Sequence, residues 1–349
     1  MSKILVIRFS ALGDVAMTVP VISSYAIAYP KDEIIVLSKD FLHPLFVHMN
    51  SNVKFMGINL NNYKGISGLN KLYEILKKEH FDYVVDLHDV LRTKYLDLRF
   101  NLSGVPVKKI KKGRKDKNAL IRKKNKKLTE LPSSFERYKK VFTTFGKDFE
   151  INFTSIYKNK EDAVIKENIR LKENSIPGEH LIGIAPFAKH EGKIYPLNLM
   201  EQVIFILTQN KNYKIFLFGG GSKEEKVFNN WCKKYNNVIS LAGKFDMGTE
   251  LKFINSMDVM LSMDSANMHF ASLVNTKIVS IWGATHPYCG FLGWGQDYNN
   301  IIQLDLPCRP CSVYGNKKCM FGDYHCLKNI KPETIYQKMV EILSESESE

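Results

Sequence analysis

Seven short apolar runs punctuate the chain, at residues 4–8 (ILVIR), 34–37 (IIVL), 83–87 (YVVDL), 181–185 (LIGIA), 215–218 (IFLF), 259–262 (VMLS) and 278–282 (IVSIW). Each is mostly apolar without alternation and bounded by polar or turn residues, the pattern of a strand buried on both faces of a parallel sheet. Helical stretches separate them at 15–28, 197–208, 223–235, 249–256 and 266–273. Strand–helix alternation over the whole length predicts an α/β architecture with parallel sheets. The runs form two series, divided by a polar, lysine-rich stretch over about 152–179 that ends in the turn signal Ser175-Ile176-Pro177-Gly178-Glu179. The expected organisation is a Rossmann-like domain at 1–165, a second at 166–343, and an acidic disordered tail, SESESE, at 344–349. Two such doubly wound domains would face each other across a cleft, with ligands at the carboxyl ends of the strands.

Composition narrows the class. With 44% hydrophobic and 25% charged residues in 349, the chain has the make-up of a globular protein rather than a disordered or fibrous one. No apolar run approaches the ~20 residues of a membrane span. The opening MSKILVIRF is too short and too soon polar for a signal peptide, so the expected compartment is the cytoplasm. The net charge of +14 is concentrated: from Lys108 to Lys127 (KKIKKGRKDKNALIRKKNKK) stand 12 basic residues and one acid, +11 of the excess. Such a patch suits a nucleic acid, an acidic membrane surface or a phosphorylated substrate, and a merely solvated lysine face equally well. It contains no aromatic residue, which argues against single-stranded nucleic acid, where bases need stacking platforms.

The chemistry-bearing residues sit in the loops that follow strands. After the first run, Ser10-Ala11-Leu12-Gly13-Asp14 turns into a helix. Asp14 can cap that helix or act as a general base for a hydroxyl nucleophile. Asp86-Leu87-His88-Asp89 and Arg92 add polar groups after another strand. In the second half, Gly219-Gly220-Gly221-Ser222 permits close backbone approach but fits neither the dinucleotide nor the Walker phosphate pattern. Met263-Asp264-Ser265-Ala266-Asn267-Met268-His269 leads from a strand into an apolar helix. Its small residues leave backbone N–H groups open to a pyrophosphate, unless Asp264 or Ser265 simply caps the helix and His269 is a satisfied core histidine. Lys193, in His190-Glu191-Gly192-Lys193-Ile194-Tyr195-Pro196, puts a cation on the same edge.

Four of six cysteines cluster as Cys308-x2-Cys311-x7-Cys319-x6-Cys326. The first pair resembles a metal knuckle, but the second is spaced too widely for the usual zinc ribbon, so packed, reduced thiols are the expectation and no metal site is assigned.

Taken in order, these motifs resemble glycosyltransferase family 9, the lipopolysaccharide heptosyltransferases. The matching segments are ILVIRFSALGDVAMTVP at 4–20, Asp86-Leu87-His88, Glu136-Arg137-Tyr138, residues 184–196 with a lysine before the proline, and Leu241-Ala242-Gly243-Lys244. Residues 264–269, Trp282-Gly283-Ala284-Thr285-His286-Pro287 and the cysteine cluster complete the series. The resemblance implies a GT-B fold, with an N-terminal acceptor domain and a C-terminal nucleotide-sugar domain. It also implies an inverting, metal-independent transfer without a cofactor, typically of heptose from ADP-heptose to a lipid A–Kdo acceptor.

In that pattern Asp14 is the base, and Lys193 contacts the donor phosphates while Ser265, Ala266 and Asn267 cradle them. Asp264 and His269 complete the donor pocket, with Glu224 or Glu225 near the ribose and Met247 near the adenine. Ser10, Gly13, His88, Arg92 and Arg137 are the expected acceptor contacts. The segment from Lys108 to Lys127 then docks a monomeric enzyme peripherally on the inner membrane, beside its anionic acceptor. Rival readings are a family member using another nucleotide sugar or surface-glycan acceptor, and a non-catalytic glycan- or nucleic-acid-binding protein working through the basic segment.

Overall fold

The computed structural model describes residues 1–157 and 178–345. These form two compact units, one of Met1–Lys112 with Ser133–Ile156 and the other of Gly113–Pro132 with the chain from Tyr157 onward. The boundary expected at 165/166 falls outside the described residues, as does the tail beyond Glu345.

Unit 1 is built on a parallel sheet of β1 (Lys3–Ile7), β2 (Glu33–Lys39), β3 (Val53–Ile58), β4 (Tyr83–Asp86) and β5 (Val107–Lys109), in the order β3-β2-β1-β4-β5. Ile4, Leu5, Val6 and Ile7 are all buried, as expected of a central strand with helices over both faces. The chain builds outward from β1 in one direction, then returns to lay β4 on its other side, with Ile7 paired to Asp86. The strand order therefore reverses between β1 and β4.

The helix expected over 15–28 is two helices, α1 (Leu12–Ala16) and α2 (Thr18–Ala28). Pro20 has no N–H to donate to the Ala16 carbonyl four residues back, which interrupts the helical ladder, and Thr18 Oγ1 donates to the Val15 carbonyl at 2.7 Å. Two further helices, α3 (Gly65–Lys77) and α4 (Leu91–Leu102), pack against each other on this unit.

Unit 2 repeats the plan with β6 (His180–Ala185), β7 (Tyr213–Leu217), β8 (Val238–Ser240), β9 (Val259–Met263), β10 (Ile278–Ile281) and β11 (Ile301–Ile302), all parallel in the order β11-β10-β9-β6-β7-β8. The reversal lies between β6 and β9. The helix Pro332–Glu345 packs on the helix Leu197–Thr208 and buries Ile335, Met339, Ile342 and Leu343. Ser344 and Glu345, expected to begin a disordered tail, instead complete its last turn.

The basic segment, expected wholly in the first domain, is divided. Residues 113–132 pack on unit 2, where Leu120 is fully buried and Leu131 N–H donates to the Tyr288 carbonyl at 3.0 Å. Among the described residues no helix is long and apolar enough to cross a membrane.

Candidate active site

A strand-order reversal leaves the loops after two neighbouring strands diverging to opposite faces, which opens a crevice at their carboxyl ends. In unit 1 these loops are residues 8–14 after β1 and 87–92 after β4. Arg8 directly follows β1 and is buried. Its Nη2 lies 2.8 Å from Asp14 Oδ2, its Nη1 donates to the Leu87 carbonyl, and its guanidinium sits 5.8 Å from the Tyr138 ring centroid. Asp14, in the first turn of α1, also accepts from Ala11 N–H at 3.1 Å through the same Oδ2. It is thus a helix cap and, at the same time, a carboxylate still partly open to solvent.

His88 Nε2 stands 3.2 Å from Ser10 Oγ, so the two loops meet directly. Burial first, then the charges of Arg8 and Lys112, hold the imidazole well below its usual range, at about 3, so it is neutral at physiological pH. Asp86 does not reach the rim. It is fully buried and accepts from His88 N–H at 2.7 Å and Asp89 N–H at 3.0 Å, which fixes the turn that presents His88. Beneath it lies Asp97 of α4, whose oxygens find no donor. Burial, reinforced by the Asp86 charge, pushes the Asp97 carboxyl up to about 8.

Gly13 lies in α1, and Arg92 at the start of α4. Arg137 is half-buried on the helix Ser134–Thr143, beside Tyr138, whose hydroxyl donates to the Asp14 carbonyl at 3.3 Å. Glu136 of that helix makes a reciprocal capping box with Ser133.

In unit 2 the reversal brings together the loops after β6 and β9. Lys193 Nζ lies 2.8 Å from Asp264 Oδ2, and Thr285 Oγ1 donates to the same oxygen at 2.8 Å. Thr285, in the loop after β10, carried no role in the sequence reading. It is braced in turn by Arg309, which donates to the carbonyls of Thr285 and Gly283 and to Gln303 Oε1. Two glycines set the lysine's path. A Cβ on Gly192 would fall 2.8 Å from the Gly315 carbonyl oxygen, and one on Gly315 would fall 2.6 Å from Lys193 Cγ. Gly315 also takes a φ of +76°, which an L side chain rarely adopts. Thr285 is 21 positions from Asp264, and Arg309 and Gly315 are 116 and 122 positions from Lys193, so only the fold reveals these partners.

Ser265 begins the helix Ala266–Leu273 in extended conformation, and its side chain does not cap it. Its Oγ turns to Ser262 Oγ at 3.4 Å. Ser265, Ala266 and Asn267 are half-exposed at this helix N-terminus, a position favourable to anions, whereas His269 is buried within the helix.

Glu224 closes the glycine loop after β7 by accepting from Gly220 N–H at 2.9 Å, and burial raises its pKa. Glu225 lies against Gly243 of the loop after β8. Met247 is the first residue of the next helix, capped by Asp246, which accepts from Thr249 N–H at 2.8 Å. All these donor-side candidates stand on one edge of the second sheet. Direct contact joins Lys193 to Asp264, while Glu224 and Met247 occupy neighbouring loops.

The four clustered cysteines are free thiols, with Cys308 Sγ 3.9 Å from His325 Nε2. Among the described residues, no three His, Cys, Asp or Glu side chains are arranged to hold a metal ion. The basic segment contributes to this region. Lys126 Nζ donates to the carbonyls of Pro307, Arg309 and Pro310, and buried Lys117 lies 4.1 Å from the Phe291 ring centroid.

Comparison with known proteins follows the same lines. The profile of "Glycosyltransferase family 9 (heptosyltransferase)" matches residues 69–324. The lipooligosaccharide heptosyltransferase 2 of Haemophilus influenzae is 25% identical over 364 aligned positions, covering 98% of this chain and 99% of that one. That of Campylobacter jejuni is 26% identical over 174 residues, so the chain spans about half of that relative's length, 53%, with 48% of its own. The solved ADP-heptose lipopolysaccharide heptosyltransferase II of Escherichia coli superposes with a TM-score of 0.72 at 18% identity, over 99% of both chains. It shares the two-domain fold.

Proposed function

Since the chain belongs to glycosyltransferase family 9, we propose that it transfers a heptosyl group from ADP-heptose to a hydroxyl of a lipopolysaccharide or lipooligosaccharide inner-core acceptor. The observation that carries this reading is the Lys193–Asp264–Thr285 arrangement at the reversal of the second sheet. It presents a fixed cation beside an uncapped helix N-terminus, as a departing nucleoside diphosphate requires.

On this reading the groups divide the reaction between them. The acceptor oxygen attacks the anomeric carbon on the face opposite the diphosphate, and the glycosidic bond forms as the carbon–phosphate-oxygen bond breaks, inverting the centre. Asp14 Oδ takes the hydroxyl proton, with Arg8 holding the carboxylate in place. Lys193 Nζ and the backbone N–H groups at 265–267 receive the charge that develops on the leaving ADP, without a metal. Neutral His88, tied to Ser10, offers hydrogen bonds to the acceptor sugar alongside Arg92 and Arg137. Nine of the twelve cations between Lys108 and Lys127 remain exposed and attract the anionic, lipid-linked acceptor and the bilayer that carries it.

Isothermal titration with ADP, GDP, UDP and CDP in EDTA is the direct test. Selective ADP binding supports the donor assignment, whereas a preference for another nucleotide replaces the sugar donor. Binding of none removes the donor-site reading.

A further inference from the structure

Helix α4 is apolar on two opposite faces. Thr93, Leu96, Asp97 and Phe100 are buried against unit 1. On the other side, Leu91, Leu98 and Leu102 are 87%, 56% and 75% exposed. At about 100° per residue these three leucines fall within an arc of about 40°, so they form one ridge along the helix rather than scattered surface residues.

The ridge is flanked by cations. Lys94 lies on one side, and Arg92 and Arg99 on the other. The helix's one acid, Asp97, points into the core. Lys94 and Arg99 have local counter-charges, Asp89 at 3.7 Å and Glu74 at 3.2 Å. Lys108 and Lys109, at the end of β5 on the same unit, are exposed as well. Leucines between basic side chains match a surface that is anionic outside and hydrocarbon beneath, where the helix lies in the plane with its apolar edge at the headgroup boundary.

We propose that the Leu91–Leu98–Leu102 ridge, with its flanking Arg92, Lys94 and Arg99, is the surface by which unit 1 docks on an anionic lipid bilayer. The position of the ridge gives it a purpose, which rests on the function proposed above. The loop that presents His88 runs directly into α4, so the element touching lipid begins where the lipid-linked acceptor is held. Lys108 and Lys109 of the same unit add long-range attraction, and the ridge supplies the apolar contact that salt does not screen.

The test uses the full chain and vesicles of phosphatidylcholine alone or with phosphatidylglycerol, with no acceptor or donor present. The parent should co-sediment with the anionic vesicles. The triple variant Leu91→Asn, Leu98→Asn, Leu102→Asn should partition about tenfold less, with circular dichroism and ADP affinity unchanged. The matching triple methionine variant should bind like the parent. A single L98W variant gives a reading that leaves the ridge apolar: its emission should shift to the blue with anionic vesicles and be quenched by brominated acyl chains.

Parent-like sedimentation of the asparagine variant overturns the proposal, as does an L98W spectrum that vesicles leave unchanged. A parent dimer that the asparagine substitutions convert to monomer, with no change on vesicles, assigns the ridge to self-association and overturns it too. None of these readouts involves sugar transfer. Loss of ADP binding by the parent would therefore sink the proposed function without touching the ridge.

Discussion

Each unit places a cation–carboxylate pair at the reversal of its sheet, and the two pairs are built in opposite senses. In unit 1 the cation is the buried member: Arg8 is 9% exposed, and Asp14, 2.8 Å away, is 28% exposed. In unit 2 the carboxylate is buried: Asp264 is 3% exposed and Lys193 15%. An ion pair satisfies the buried charge in both cases, as burial demands. What reaches the ligand differs. Unit 1 offers an oriented anion able to take a proton, and unit 2 offers an oriented cation able to receive negative charge. The same topology thus presents a carboxylate on one sheet and a cation on the other, according to which partner the surrounding chain encloses; in the proposed function these are the base and the leaving-group anchor.

The contrast can be broken at either end. Asp14→Asn keeps the shape of the side chain and removes its basicity. The transfer rate should fall at least about a hundredfold while ADP affinity stays within about twofold of the parent, measured by steady-state kinetics and calorimetry. Retention of a tenth of the rate would deny Asp14 the role of base. Next in size, Lys193→Ala should weaken ADP about ten- to a hundredfold, since a charged hydrogen bond to the diphosphate is lost. It should also lower the melting temperature, because Asp264 loses its cation. The double variant Lys193→Met, Asp264→Asn should recover the melting temperature but not ADP affinity. Recovery of both would make the pair purely structural. Thr285→Val removes one neutral donor from Asp264, and an approximately three- to tenfold loss of ADP affinity is expected by titration.

The smallest effect concerns Asp97, one of the buried carboxylates of unit 1. Asp264 is neutralised by a lysine, whereas Asp97, beside Asp86, is neutralised by a proton, with its carboxyl raised to about 8. A raised carboxyl contributes stability that is full below the unfolded value of about 4 and lost as pH rises through 8. His88, depressed to about 3, acts in the other direction: its contribution is full above the unfolded value of about 6.5 and lost as pH falls toward 3. The two slopes oppose one another between about pH 4 and 6.5, so the Asp97 loss stands out between 6.5 and 8. Asp97→Asn, whose amide can donate to Asp86 at any pH, should flatten that decline by a few degrees in melting temperature. A parent-like pH profile for this variant would show that Asp97 carries no proton in the folded state.

Legibility in the sequence followed burial. The seven strands read from apolar runs, β1, β2, β4, β6, β7, β9 and β10, are all interior strands. Having neighbours on both edges and helices over both faces leaves them mostly apolar, with a few buried polar exceptions such as Asp86 and Lys214. The four that escaped, β3, β5, β8 and β11, are the four sheet edges. None of the four gives a long apolar run: Val53–Ile58 mixes exposed and half-buried residues, Val107–Lys109 and Val238–Ser240 are three residues long, and Ile301–Ile302 is two. Helix α4 escaped too, because apolar residues on both of its faces leave no clean amphipathic stripe.

From the sequence alone come the two parallel α/β halves, the loops that bear Asp14, His88, Lys193 and Asp264, and the family to which the chain belongs. These rest on local signals, apolar runs and short motifs that neighbouring residues encode. The tertiary structure decided which member of each charged pair is buried. It showed that Asp86 holds a turn instead of lining the rim, and that residues 113–132 leave the first unit to pack on the second. It also buried Lys117 and turned Lys126 from a free surface charge into a clamp on three backbone carbonyls. Those outcomes depend on Thr285, Phe291, Arg309 and Gly315, residues far away along the chain, and the energy of a charge depends on what surrounds it in space.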